Sequence, residues 1–211
     1  MTADAEVVFV VDDDPGIRKA LARLLRAAGF EARGFASPEA FLEEHDPAAP
    51  GCVILDVGLP GLNGLELQQA LSASGCARSI IFISGQGDIP MSVRAMKAGA
   101  IDFLTKPIDD EQLLAAIRSA LVRDRQARRA QAERKSIAER LATLTERERE
   151  VLEHVVAGQL NKHIARDLGT VEKTIKVHRG RVMAKMGVDS LAELVRVAER
   201  AGIVPARSSS W

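Results

Sequence analysis

The chain has 211 residues, 46% of them apolar, with 29 basic and 29 acidic side chains. That length suits two modest domains with ordinary cores, and no apolar run approaches the ~20 residues needed to cross a bilayer. The zero net charge conceals an asymmetry: residues 1–120 carry 10 Lys+Arg against 17 Asp+Glu, net −7, and residues 121–211 carry 19 against 12, net +7. An acidic half joined to a basic half implies two jobs, with a polyanion as candidate partner of the second.

The N-terminal MTADAEVVFVVDDD lacks the basic flank of a secretory signal, so a cytoplasmic location is expected. Cys52 and Cys76 have no metal-ligand spacing and read as small core or surface residues in a reducing compartment.

Along the first half, short apolar runs at residues 7–11, 32–35, 52–57, 80–84 and 100–104 alternate with helical patterns at 15–28, 38–45, 64–74, 90–98 and from 109. Five β-α units in a row predict a doubly wound parallel sheet covered on both faces. The third run, CVILDV, is nearly all apolar, as suits a strand buried on both sides. Helix starts are signalled by Ser37 ahead of Pro38 and by Asp109 with Gln112 three residues on.

Residues 109–144 contain no Gly or Pro and read as one long helix. Its charged middle, RDRQARRAQAERKS, fits a solvated connector. A thin seam of Ala127, Ala130, Ile137, Leu141 and Leu144, broken by Arg134, fits a weak two-stranded coiled coil.

The last third is all-helical. Thr145 and Glu148 form a capping box before a helix ended by Gly158. Two further helices span about 161–168 and 171–186, broken by Gly169 and Gly187. Ser190 with Glu193 starts a fourth, ending near 201–202. The tail PARSSSW is expected to be disordered.

The strongest chemical signal lies at the strand tips. The first strand ends in Asp12, Asp13 and Asp14, the third in Asp56 and the fourth in Ser84, while Thr105 and Lys106 follow the fifth. Open parallel sheets collect ligands outside the carboxyl ends of their strands. Clustered carboxylates repel unless a cation joins them, and Mg²⁺, or Mn²⁺, prefers such oxygen ligands. Asp56 could then act as nucleophile toward a phosphoryl group. Lys106 would offset charge on the phosphoryl oxygens, and Ser84 could donate a hydrogen bond to one of them.

VVDDDP, LDVGLPGLNG, ISGQGDIP and AIDFLTKP, in that order, resemble the receiver domain of bacterial response regulators over about residues 5–122. The resemblance implies Asp56 as phosphoacceptor and Asp13 as a direct metal ligand, with Asp12 acting through water. It implies the Gly58 backbone carbonyl as a further ligand. Ser84 and Phe103 fall on the family's switch positions, and Lys106 on its lysine, before a Lys106–Pro107 bond expected to be cis. The GQGDIP loop resembles FixJ-like members.

Residues 160–187 carry Lys162, Arg166, Lys173, Lys176, Arg179, Arg181 and Lys185, opposed only by Asp167 and Glu172. Ile164, Ala165, Leu168 and Ile175 suit two crossed helices joined at Gly169, the arrangement of a helix-turn-helix. The segment LTEREREVLEHVVAGQLNKHIARDL, with TIKVH and KM beyond it, resembles the four-helix DNA-binding domain of NarL/FixJ (LuxR-type) regulators over about 144–202. That resemblance places Lys176, Val177 and Gly180 where bases are read. Lys162, Lys173, Thr174, Arg179, Arg181 and Lys185 are further candidate DNA contacts. Two departures stand out. Thr170 precedes Val171 where the family has an aliphatic residue and then a hydroxyl, and Gly180 lies where a long side chain is common. Leu191, Leu194, Val195 and Ala198 match the family's dimerisation helix and equally suit a core.

The expected organisation is a receiver (1–122), a helical linker (123–143), a LuxR-type helix-turn-helix domain (144–203) and a tail (204–211). The expected function is phosphorylation-dependent transcription regulation. A histidine kinase supplies the phosphoryl group, the receiver forms a homodimer and promoter DNA is bound, with RNA polymerase a further candidate partner. The chain is expected to be no enzyme beyond its own phosphorylation and dephosphorylation. One rival is a receiver acting through protein contact without specific DNA binding. Another is a phosphatase-type hydrolase, for which no second general acid is evident.

Overall fold

The computed structural model describes residues 6–60, 64–73, 78–85 and 89–206, with only the backbone of residues 72 and 73. Cys76, residues 61–63, residues 86–88 of the GQGDIP loop and the last five residues of the tail lie outside the described residues. The chain divides into two compact units, Met1–Arg128 and Arg129–Trp211.

The first unit alternates β1 (Val7–Val11), α1 (Pro15–Ala27), β2 (Glu31–Phe35), α2 (Pro38–Glu44), β3 (Gly51–Asp56), α3 (Gly64–Ala73), β4 (Ser79–Ser84), α4 (Ile89–Lys97) and β5 (Asp102–Thr105) before α5 (Asp110–Ala142) begins. The strands form one parallel sheet in the order β2-β1-β3-β4-β5. Because successive side chains point to opposite faces, the strands divide their residues between two cores. Phe9, Val53, Leu55 and Phe82 pack with Phe41 and Leu67 on one side. Val8, Val10, Ile54, Ile81 and Ile83 pack with Leu25, Leu113 and Ile117 on the other. Cys52 belongs to this second core, and burial pushes its thiol up to about 12.

The helix starts obey their local chemistry. Ser37 caps α2 ahead of Pro38, and Asp109 accepts the Gln112 N–H at 2.8 Å. β5 departs from its apolar run. Ala100 belongs to the turn leaving α4, where its N–H bonds to the Ala95 carbonyl, and Ile101 makes the first bond to β4, donating to the Ile80 carbonyl at 2.8 Å. Pairing begins at Asp102 and runs on to Thr105 opposite Ser84. The fifth strand therefore reaches the end of the sheet where the polar residues gather.

Gly51 begins β3 with φ 152°, and a Cβ there would lie 1.9 Å from the Val7 carbonyl oxygen. Both the backbone angle and the contact require glycine. Gly51→Ala should cost about 3 kcal/mol or more, because the carbonyl belongs to a central strand that cannot retreat. An unchanged urea midpoint for the full chain would contradict this.

The second unit contains the end of α5, then α6 (Glu146–Val156), α7 (Asn161–Asp167), α8 (Glu172–Met186) and α9 (Leu191–Arg200). The Thr145–Glu148 capping box opens α6 with both reciprocal hydrogen bonds. Ser190 caps α9 through the Glu193 N–H. Gly187 ends α8 in the left-handed conformation, φ 61°, which L side chains adopt at a cost. The coiled-coil seam resolves differently from its alternation in the sequence. Ala127 and Ala130 are exposed, whereas Ile137 and Leu144 are buried among Val151, Leu152, Val182 and Met186. The large apolar residues of the seam thus serve this unit's own core, and residues 129–136 are solvated throughout. Leu194 and Ala198 of α9 are likewise core residues, leaving Leu191 and Val195 as the more exposed part of that helix.

Candidate functional sites

Asp12 follows β1 and is fully buried, while Asp13 beside it is exposed. Asp14 is a helix cap: its Oδ1 accepts the N–H groups of Gly16 at 2.6 Å and Ile17 at 3.3 Å. The three consecutive acids therefore divide into one cap and two carboxylates left for the site. Asp12 Oδ1 accepts the Asp14 N–H at 2.8 Å. Arg18, one turn into α1, donates to the Asp12 carbonyl at 2.6 Å. Nothing in the local sequence pattern marked Arg18 for that role.

Asp56 ends β3 and is buried. Its Oδ1 accepts the Gly58 N–H at 3.1 Å. The Lys106 ammonium bridges both acids, 2.8 Å from Asp56 Oδ2 and 3.0 Å from Asp12 Oδ2. Burial works against the lysine's charge, but the hydrogen bonds to Asp56 and Asp12 outweigh it and hold its pKa above the usual value. Burial pushes the Asp12 carboxyl up, against the opposing effect of Lys106. Carboxylate oxygens of Asp12, Asp13 and Asp56 lie within 4.8 Å of one another. Three hard oxygen donors this close, one on an exposed residue, suit a small divalent cation that keeps several waters.

Ser84, at the end of β4, is buried, and its carbonyl accepts the Lys106 N–H at 2.7 Å. The Lys106–Pro107 peptide is cis. Phe103 is half-buried on β5, its ring 6.3 Å from that of Phe82. Thus β1, β3, β4 and β5 bring Asp12, Asp13, Asp56, Ser84 and Lys106 to one end of the sheet.

In the second unit, α7 and α8 form the crossed pair around Ile164, Ala165, Ile175 and Val182, all buried. Lys173, Lys176, Val177 and Gly180 are exposed. Their i, i+3, i+4, i+7 spacing puts them on one face of α8, opposite Ile175, Val182 and Met186. Arg181 and Lys162 are exposed as well, and Thr174 is half-exposed. Arg179 is partly engaged: it donates to Asn161 Oδ1 at 3.2 Å, linking α8 to α7. Gly180 has open space where a Cβ would project, so its lack of a side chain is not forced by packing. Val171 is the N-cap of α8 and provides no side-chain bond.

Lys185, a further candidate DNA contact, is already engaged within the unit. Its ammonium lies 2.5 Å from Glu148 Oε2 and 2.9 Å from the Thr143 carbonyl, so its charge is claimed inside the unit. Glu148 is almost fully buried. The Lys185 hydrogen bond first, then the Thr145 N–H, pull its carboxyl down to about 2. The sequence identified Glu148 as a helix cap but gave no sign that its partner lay 37 residues away.

Residues 8–118 match the family described as the response regulator receiver domain, and residues 142–198 match the luxR family of bacterial regulatory proteins. The transcriptional regulatory protein FixJ of Azorhizobium caulinodans is 45% identical over 94% of this chain and 94% of its own. The response regulator protein TodT of Pseudomonas putida is 45% identical over 95% of this chain and 88% of its own. Among solved structures, the response regulator StyR superposes with a TM-score of 0.84 at 45% identity, covering 93% of this chain and 99% of that one. Full-length FixJ from B. japonicum gives 0.57 at 42% identity, covering 96% and 100%.

Proposed function

The chain belongs to the two-component response regulators that join a receiver to a LuxR-type DNA-binding domain, and on that footing we propose how its own residues carry out phosphorylation-dependent transcription regulation. Asp56 is the phosphoacceptor. The observation that carries this reading is Lys106 bridging Asp56 and Asp12 while Asp13 stands exposed beside them.

Asp56 Oδ2 attacks the phosphorus of a phosphohistidine on a sensor kinase, or of a small acyl phosphate. The bond from phosphorus to the donor breaks, and the product is an aspartyl phosphate. Lys106 moves its hydrogen bond from the carboxylate to a phosphoryl oxygen. Asp12, Asp13, Asp56 and the Gly58 carbonyl would hold Mg²⁺ or Mn²⁺, with Asp12 acting through water. When bound, such an ion would supply positive charge to the transferring group. The Ser84 hydroxyl then turns toward the new phosphoryl oxygens, and Phe103 repacks against β4 and α4. The receiver pairs with a second copy. Beyond self-phosphorylation and dephosphorylation, the chain performs no catalysis.

The α8 face of Lys173, Lys176, Val177 and Gly180 enters the major groove, with Lys176 and Val177 reading base edges. Lys162, Thr174, Arg179 and Arg181 hold the phosphates. Promoter DNA and a cognate histidine kinase are the partners, and RNA polymerase is a further one. No helix of the described residues is long and apolar enough to cross a membrane, which fits work in the bacterial cytoplasm. The proposed limits are a receiver of 1–122, a linker of 123–143 and a DNA-binding domain of 144–203; the matched segments 8–118 and 142–198 lie close to them, and the two compact units divide at Arg128, within the proposed linker.

Lys176→Ala tests the DNA face. It should weaken binding to a selected duplex roughly tenfold, within the 1–3 kcal/mol of a lost base contact, while phosphate incorporation at Asp56 is unchanged. Unchanged affinity in a gel-shift titration would remove Lys176 from the interface.

A further inference from the structure

The C-terminal end of α8 is gripped by residues outside the helix-turn-helix. The Arg140 guanidinium, from the last turns of α5, donates to the Met186 carbonyl at 2.6 Å. Met186 is the last residue of α8, and that carbonyl lies at the negative end of the helix dipole. The chain leaves directly beneath the guanidinium: a Cβ on Gly187 would sit 3.3 Å from Arg140 Nη1. One residue earlier, Lys185 donates to the Thr143 carbonyl at 2.9 Å and pairs with Glu148. Thr143 in turn donates its hydroxyl to the Arg140 carbonyl at 2.6 Å. Below these polar contacts, Ile137 and Leu144 share a core with Val182 and Met186. The end of α8 is thus fixed by a charge-assisted bond from α5, a lysine bond to the residue just past α5, and shared apolar packing.

We propose that Arg140 is a positioning residue for DNA recognition, a proposal that rests on α8 being the groove-reading helix. The physical reason is leverage. Helix α8 packs on α6 and α7, with Ile175 in the shared core and Arg179 bonded to Asn161, and the orientation of its far end is set by Val182 and Met186 together with the polar grip from Arg140 and Lys185. Arg140 makes the direct hydrogen bond to the terminal carbonyl of the helix. With that bond removed, the helix keeps its fold and core, but Lys173, Lys176 and Val177 no longer present one fixed orientation to base edges. Discrimination between specific and random DNA depends on that orientation, whereas phosphate attraction does not. Arg140 itself touches no base or phosphate in this account.

The test uses the full chain, phosphorylated, with a duplex that the wild-type protein enriches from a random-sequence pool and a scrambled duplex as the non-specific probe. Arg140→Met keeps the side-chain stem and removes the donor; Arg140→Lys keeps a cation able to reach the same carbonyl. Arg140→Met should bind the enriched duplex about tenfold more weakly and the scrambled duplex as wild type does. The slope of log affinity against log salt should be unchanged, because no phosphate contact is lost. Arg140→Lys should recover most of the specific binding. Thermal unfolding fixes a temperature at which all variants are folded, and if Arg140→Met has none, Arg140→Leu, which also lacks a donor, takes its place with the same expectations. The proposal is overturned if both duplexes weaken equally, or if specific binding is unchanged. It is also overturned if the salt slope falls by about one, which marks a direct phosphate contact. If no duplex is enriched by wild type, the DNA reading of α8 fails first and the proposal with it. If a duplex is enriched but Arg140→Met binds it normally, only the proposal fails.

Discussion

Asp56→Asn should abolish phosphate incorporation from a small acyl phosphate and remove any phosphate-dependent gain in DNA affinity, without loss of stability. Asparagine has nearly the same volume, and its single carbonyl oxygen can keep either the Gly58 N–H or the Lys106 ammonium, which the native Asp56 receives on separate oxygens at 3.1 and 2.8 Å. Its amide has no anionic oxygen to attack phosphorus. The stability expectation follows from charge. Asp12, Asp13 and Asp56 place three carboxylates within 4.8 Å, and among the described residues Lys106 bridges two of them, so removing one negative charge relieves repulsion. A catalytic group installed at an electrostatic cost should therefore be lost with function abolished and the fold unharmed or firmer. Phosphate incorporation at wild-type level, or a fall in the unfolding midpoint, would contradict this account of the site.

Lys185→Met should damage the second unit before it touches DNA. The variant leaves the almost fully buried Glu148 without its cation. Breaking such a pair costs about 3 kcal/mol, the low end of the range for buried pairs, because the lysine is one-third exposed and water takes part of its role. Methionine preserves most of the apolar stem, so the loss is electrostatic rather than a cavity. Hydrogen exchange of α6 and α8 amides in the full chain would localise the effect. The pH dependence has a definite sign. The Glu148 carboxyl is held at about 2 in the folded unit, against 4.5 ordinarily. The unfolded chain therefore binds the proton first, and the stabilisation is complete above about pH 4.5 and lost as pH falls toward 2. The deficit of Lys185→Met should shrink over the same window, since a protonated Glu148 no longer needs a cation. Glu148→Met combined with Lys185→Met should recover much of the loss. Equal protection in wild type and Lys185→Met at neutral pH, or parallel pH curves, would contradict the pairing.

Local chemistry was legible wherever the residues concerned lie close in sequence. Ser37, Thr145 and Ser190 cap helices as their spacing required, because a capping bond spans only two or three residues. The order of acids, hydroxyl and lysine at the strand tips was legible because one parallel topology delivers all the tips to one end. What the sequence did not disclose depends on packing between distant segments. Ala100 looks like a strand residue, yet its N–H still closes α4, whereas Ile101 already bonds to the Ile80 carbonyl of β4 one residue ahead of the paired strand. Lys185 resembles its basic neighbours on α8, and only the fold brings Glu148 against it. Ile137 and Leu144 fit a heptad seam as well as a globular core, since both need apolar residues at helical spacing. Their burial among α6 and α8 residues decides between the two. Arg18 and Arg140 had no distinguishing context at all, because a backbone carbonyl as partner leaves no mark in the sequence.

The most direct measurement is chemical. The phosphorylated chain is treated with borohydride, which reduces an aspartyl phosphate to homoserine, and the peptides are sequenced by mass. Conversion of residue 56 to homoserine, dependent on both phosphodonor and Mg²⁺ and absent from Lys106→Ala, is the predicted result. Homoserine at another acid, or an unmodified residue 56 when DNA affinity has already risen on adding phosphodonor, would contradict the claim that this carboxylate is the switch.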